Sequence, residues 1–248
     1  MHLAALFFLR VYLMDLELLV LGDTGWGDEM LRATLVTLMV SLSAMGIGLF
    51  ISIFGTLSKL SNKFYLRLLG DVYTTIVRGI PELLVIYLLF FGGSNAVMSI
   101  AKLFGYNGYI ELNAFVIGSI AVGAISGAYS TEVIRGAFLA IPRGQIDAAK
   151  SVGMNKFIIF NRILIPQILR YALPGLGNVW QLTLKDTALI MVTGLVEIMR
   201  QSHIASGSTY SPFTFYITAA ILYLILTTAS NAIFNSAENW ANKGVRRA

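Results

Sequence analysis

The chain has 248 residues, of which 56% are hydrophobic and only 12% charged, about half the charged share of an ordinary soluble domain. With a net charge of +5, this balance describes a polytopic membrane protein rather than a nucleic-acid binder, because in a membrane protein the placement of Lys and Arg matters more than their sum. The chain contains no cysteine, and its two histidines, His2 and His203, lie far apart; this excludes a disulfide framework and a thiolate metal site and makes a histidine-based metal centre a poor reading.

Residues Met1 to Leu21 are apolar but carry Arg10, Asp15 and Glu17, which is expensive in a spanning helix. They read as an interfacial helix, with a secretory signal as the competitor; the acidic residues and the missing A-x-A-like site before Trp26 speak against cleavage. Gly22 to Glu29 is an acidic, glycine-rich loop, so residues 1–29 form an N-terminal region ahead of a transmembrane domain at 30–240. The first span is Ala33 to Ser58, uncharged throughout and long enough for the roughly 30 Å hydrocarbon core. Ala44, Gly48 and Ser52 recur every fourth residue and give it one smooth face for close helix approach. Lys59, Lys63 and Arg67 then make a basic hinge.

A second span is expected at about Leu69–Phe91, with Arg78, Pro81 and Glu82 inside it and Gly92 to Asn95 ending it. The third covers about Asn113–Ile141 and repeats the small-residue stripe in Ser119, Gly123, Gly127 and Thr131. After a polar insert at 140–166, a fourth span runs from about Tyr171 to Leu195, broken early by Pro174, Gly175 and Gly177. A loop holding Arg200, His203 and Gly207 leads to Pro212, suited to a first helical turn. The fifth span, about Phe213–Phe234, ends in a basic tail at 241–248. Five spans put the termini on opposite sides. Lys59, Lys63, Arg67, Arg143, Lys150, Lys156, Arg162, Arg170, Lys243, Arg246 and Arg247 all fall on one side, which the positive-inside rule makes cytoplasmic. The N-terminus is then outside and the insert inside.

The insert reads AIPRGQIDAAKSVGMNKFIIFNRILIP. Pro142 suits a helix start, Arg143 to Val152 form a short helix stopped at Gly153, and Asn155 caps a second that Pro166 limits. Ala148 and Ala149 have too little side chain to obstruct a partner, while Asp147, Lys150 and Lys156 give a charged rim. An ordinary basic cytoplasmic loop is the plain alternative.

Ionisable groups at membrane depth are candidates for function. Arg78 and Glu82 are four apart and suited to pair on one helical face, and Glu132 and Arg135 pair in the same way. Lys185 and Asp186 are adjacent and point apart, so each faces a polar path or pairs across a subunit interface. Arg78, Glu82, Glu132, Lys185 and Asp186 are the substrate-path candidates, with Glu82 and Asp186 foremost for a cationic substrate.

The spacing Asp147-Ala148-Ala149, three residues, Gly153, nine residues, Ile163-x-Ile165-Pro166 resembles the EAA loop of ABC importer permeases, E-A-A-x3-G-x9-I-x-L-P, with Asp147 for Glu and Ile165 for Leu. YTTIVRGIPEL at 73–83, RYALPG at 170–175 and KDTAL at 185–189 are similar to the polar amino acid permeases, nearest the Q-type subunits of histidine, arginine and opine importers. The likeness runs from Thr34 onward and leaves residues before about Gly22 unmatched. It implies an all-α integral membrane protein of the type I ABC importer permease fold, five transmembrane helices with a cytoplasmic helix-turn-helix coupling loop, in the bacterial inner membrane. It also implies partners: a second permease, either an M-type chain or a second copy, two ATP-binding subunits holding ATP and Mg, and a periplasmic substrate-binding protein. The ATPase-coupling residues would be Asp147, Ala148, Ala149, Gly153, Ile163, Ile165 and Pro166. No G-x-x-x-x-G-K-[ST] loop is present, so ATP chemistry belongs to another subunit; no cofactor and no catalytic residue are expected in this chain. An ion-coupled secondary transporter is the competing reading, and it would usually show internal repeats with broken helices. A membrane enzyme would need a catalytic constellation that the sequence does not offer.

Overall fold

Small residues decide how the helices meet. In a computed structural model, which describes residues 15–106, 108 and 113–243, the chain is all helical among the described residues. The long first helix, α1 (Gly27–Lys59), crosses α4 (Ala114–Leu139) along the two predicted stripes. At Gly48 an added Cβ would sit 2.0 Å from Ser126 Oγ and 3.0 Å from the Gly127 nitrogen, so the two backbones nearly touch. Gly123 faces Ile47 and the Ala44 carbonyl in the same way. Two hydroxyls cross the seam, Ser126 Oγ to the Ala44 carbonyl at 3.3 Å and Thr56 Oγ1 to the Thr131 carbonyl at 3.2 Å. Such interhelical bonds contribute about 0.6 kcal/mol each, so the seam is held mainly by dispersion between closely packed backbones.

The expected second span is interrupted. Its first part is α2 (Phe64–Gly79); Ile80 and Pro81 are extended, and α3 (Glu82–Leu103) then continues. Proline biases its preceding residue out of helical geometry, which places the break at Ile80. Gly92 to Asn95, expected to end the span, lie inside α3, where a π turn at Leu88–Gly92 carries the helix onward. The climb is nonetheless continuous. Asp71 sits beside the C-terminal end of α1, Val85 and Ile86 pack with Val40, Ala121 and Ile125 in the core, and Phe90 and Phe91 reach the level of Asn113 at the opposite end.

After α4 come two short helices, α5 (Arg143–Ser151) and α6 (Lys156–Ile159). A π turn, Phe160–Leu164, leads into α7 (Ile165–Asp186), then a 3-10 segment at Thr187–Thr193, α8 (Ile198–Thr209) and α9 (Pro212–Ala241). Pro166 therefore does not end a helix; its missing N–H deprives the Arg162 carbonyl of its usual donor, and the register shift of the π turn falls there. Nor do Pro174, Gly175 and Gly177 break α7, which runs unbroken through them. The glycines instead admit Val133 of α4, 2.7 Å from an added Cβ at Gly175, and Phe234 of α9, 3.3 Å from one at Gly177.

Among the described residues four helices, α1, α3, α4 and α9, are long and apolar enough to cross a membrane. The fourth expected span corresponds to α7 and the turns after it. At 22 residues α7 measures about 33 Å, but Arg170, Asn178, Gln181, Lys185 and Asp186 make it too polar to join that set. Packing against both α4 and α9 shields much of its surface. Of the expected N-terminal helix, residues 1–14 lie outside the described residues, as do Arg246 and Arg247 of the tail; between Asp15 and α1 the chain makes a single 3-10 turn, Leu16–Leu19.

Candidate functional site

The insert folds into a projecting helix pair. Pro142 stands just before α5, and Gly153, with φ +78°, reverses the chain in the left-handed region that glycine adopts without strain. Asn155 then opens α6, its side chain accepting from the Ile158 N–H at 2.9 Å. The loop is clasped to the foot of α7 by Gln167 Nε2, which donates to Gln145 Oε1 at 2.6 Å and to the Ile163 carbonyl at 3.0 Å. The alanine pair divides its duties. Ala148 is exposed, whereas Ala149 is only 4% exposed and packs inward. The two alanines therefore differ in exposure, and of the pair it is Ala148 that lies on the outer surface of the loop. The outward apolar surface comes from Val152 and Phe157, each 75% exposed on either side of Gly153. Sequence reasoning passed over both, though apolar residues flanking the turn glycine of a polar loop were the available signal. Asp147 and Lys150 form an exposed pair at 3.4 Å. Ile163 and Ile165 are half-buried at the foot, and Pro166 is exposed beside them.

Deeper along α4 lies a polar cluster. With the helix broken at Ile80 and Pro81, Arg78 and Glu82 no longer share a face, and they do not form the expected ion pair. Both instead meet Tyr129 of α4: the Arg78 guanidinium lies 5.2 Å from the ring centroid, and the Tyr129 hydroxyl donates to Glu82 Oε1 at 3.2 Å. Asp186, at the end of α7, is near enough for its charge to act on both Glu82 and Tyr129. Lys185 is exposed beside it. Four elements, α2, α3, α4 and α7, thus place a guanidinium, a carboxylate, a phenol and a second carboxylate near one another, about 15 Å of helix from the loop end of α4. Tyr129 was the missed member, since a lone tyrosine in an apolar helix carries no spacing signal. Glu132, one turn nearer the loop, belongs to another group, with Arg135 at 2.7 Å and Lys59.

Glu197, also unforeseen, has no exposed surface. Its carboxylate accepts from the backbone N–H of Met199 at 2.9 Å and of Arg200 at 2.8 Å and from the Tyr223 hydroxyl at 3.1 Å, capping α8 against α9. Burial pushes its carboxyl up to about 7, with those three donors opposing the shift. At the end opposite the loop, a cavity of about 1010 Å³ opens among Phe90, Phe91, Asn95, Asn113, Phe115 and Leu195. No group of three or more metal-ligating side chains occurs among the described residues.

Apolar helices of membrane length, a polar cluster at depth and a loop projecting from one end define a multi-pass membrane transport subunit. Residues 44–247 match the family described as binding-protein-dependent transport system inner membrane component, and the chain belongs to that family. It is 57% identical over 237 residues to the nopaline transport system permease protein NocQ of Agrobacterium fabrum, covering 94% of this chain and 99% of that one. To the histidine/lysine/arginine/ornithine transport system permease protein HisQ of Escherichia coli it is 39% identical, covering 90% and 98%. Among solved structures, a chain from an amino acid ABC transporter crystallised with histidines superposes with a TM-score of 0.73 at 29% identity, covering 86% of this chain and 94% of that one. The MetNI methionine ABC transporter in an inward-facing conformation, at 16% identity and a TM-score of 0.58, shares the fold, covering 85% of this chain and 94% of that one. Members of this family are permease subunits rather than enzymes, and the chain is a multi-pass inner membrane protein.

Proposed function

We propose that this chain is the membrane permease subunit of an ATP-driven importer for polar amino acids, of the basic or opine class. The observation that carries the substrate class is the 57% identity to a nopaline permease over nearly the full length of both chains. Its N-terminus lies outside and its C-terminus in the cytoplasm in this reading, which the gathering of basic residues at the loop end supports.

The loop docks onto an ATPase that supplies ATP and Mg chemistry. Ala148, Val152 and Phe157 enter its cleft, Asp147 and Lys150 orient the approach, and Gly153 with Ile163, Ile165 and Pro166 holds the helix pair to its foot. Closure of two such ATPases drives alternating access in a pair of permeases, an M-type partner or a second copy, to which a periplasmic binding protein delivers substrate. Exposed Arg78 and Lys185 at membrane depth support the pairing, because an ionised side chain facing lipid is costly and one facing a wetted path between subunits is not. In that path Glu82 and Asp186 receive the cationic end of the substrate, and Tyr129 orients Glu82.

Reconstitution into proteoliposomes with the ATPase and binding protein tests this reading. Uptake should require ATP, and an ion gradient alone should not drive it. Gly153→Asp should abolish uptake and stimulated hydrolysis while the chain still inserts; retained coupled uptake would remove the loop assignment. Glu82→Gln and Asp186→Asn should each weaken transport of basic substrates by about tenfold or more, and normal rate and affinity in both would remove them from the path.

A further inference from the structure

Lys59 is the last residue of α1, yet its side chain is only 10% exposed. Its ammonium uses all three donors on two other helices: Thr74 Oγ1 at 2.8 Å and Asp71 Oδ1 at 2.9 Å on α2, and Glu132 Oε1 on α4. Glu132 is itself 18% exposed, and its second oxygen accepts from Arg135 Nε at 3.0 Å and Nη2 at 2.7 Å. Two cations and two carboxylates are therefore fully matched at one crossing.

The backbone is shaped around this contact. An added Cβ at Gly70 would lie 2.6 Å from Lys59 Cγ, so α2 presents a gap through which the lysine stem passes. Directly above, Thr56 bonds to the Thr131 carbonyl, and a Cβ at Gly55 would lie 2.5 Å from Thr131 Oγ1. Paired charges with low exposure hold geometry more firmly than surface pairs, because losing one partner leaves the other charge unmatched.

What the cluster joins gives it a role. From Glu132, α4 continues for about 10 Å to Leu139 and then, through Ala140 to Pro142, into α5. From Asp71 and Thr74, α2 continues to Arg78 and, through Pro81, to Glu82, which meet Tyr129. The cluster is thus the contact where the docking helix and the charged cluster at membrane depth are mechanically connected.

We infer that the Lys59–Glu132 contact, braced by Asp71, Thr74 and Arg135, is the joint that carries displacement of α5 through α4 to α1 and α2. Lys59 and Glu132 are positioning residues, and the inference rests on the docking role of the loop proposed above. A joint of this kind keeps the loop ends of α1 and α4 moving as one body while α5 moves with the ATPase.

Two measurements on the reconstituted complex test it. Lys59→Met, Glu132→Gln and the double variant should keep ATP hydrolysis near the parent rate but lower substrate moved per ATP by about tenfold, the double being no worse than either single. Uptake and hydrolysis falling in proportion, additive losses, or normal stoichiometry would each overturn the joint. For the parent sequence, which has no cysteine to mask, spin labels at exposed Leu57 and Gly136 should keep their separation within about 2 Å between nucleotide-free and ATP-bound states. A larger change would overturn the inference even if the charge variants failed to assemble. Gly153→Asp, assayed in parallel, reports on the loop alone, so failure of the docking role and failure of the joint give different results.

Discussion

The α1–α4 seam and the α5–α6 loop are both built from small residues, and the residues serve opposite ends. Along the seam, Gly48, Gly123 and Gly127 remove side chains so that two backbones close on each other, leaving no room for even one methyl group. In the loop, an added Cβ at Gly144 or Gly153 meets nothing within 4 Å. There glycine provides a reversal of direction, and the exposed neighbours Val152 and Phe157 are held out from the fold. The same residue type therefore closes two helices on each other in one region and leaves an exposed turn in the other, which is the detachable surface of the proposed docking. Variants in the seam should cost fold and assembly together; variants in the loop should cost assembly only.

The largest effect is expected from Gly48→Leu. Its Cβ alone would lie 3.0 Å from the Gly127 nitrogen, and a backbone atom cannot move aside as a side-chain tip can. Overpacking of a tight site costs about 1–3 kcal/mol and more where the backbone is the obstacle. Thermal unfolding in detergent should show no folded monomer or a transition lowered by many degrees. A Gly48→Leu protein of parental stability would mean that α1 and α4 slide freely and that the seam is no rigid body.

The seam was legible because small residues at four-residue spacing on two uncharged segments have a single physical use in lipid. The loop was legible for a different reason, since Pro142, Gly153 and Asn155 each act locally. The break at Ile80 was missed although Pro81 was in view: Leu69–Phe91 was read as one span, and Arg78 and Glu82, which flank the extended pair, meet Tyr129, which is remote in sequence. Lys59 was read as part of a basic hinge because its partners, Asp71, Thr74 and Glu132, come together only once three helices are packed. Ala149 was grouped with Ala148 because adjacency in sequence hides that neighbouring helical positions face different ways.

A smaller and more selective effect is expected from Phe157→Ser. At 75% exposure the ring contributes little packing within the chain, so stability should change by less than about 0.5 kcal/mol. If the ring is an anchor for the ATPase, binding should weaken by about 2 kcal/mol or more, read as loss of ATPase co-purification from a correctly folded permease. Unchanged assembly would shift the anchor to Val152; lost stability would show that the loop belongs to the rigid body after all.

The smallest effect belongs to Asp147→Asn. The Asp147–Lys150 pair spans 3.4 Å between two well-exposed side chains, and such pairs contribute between zero and about 1 kcal/mol. Folding should be indifferent to its loss. A charged rim acts mainly on the rate of encounter, so docking of the ATPase should slow by about threefold at low ionic strength and match the parent once salt screens the field. Kinetics of reassembly across a salt series measure this directly. A salt-independent defect as deep as that of Phe157→Ser would instead place the Asp147 carboxylate inside the cleft, hydrogen-bonded to the partner, and would extend the detachable surface from the tip of the loop down the face of α5.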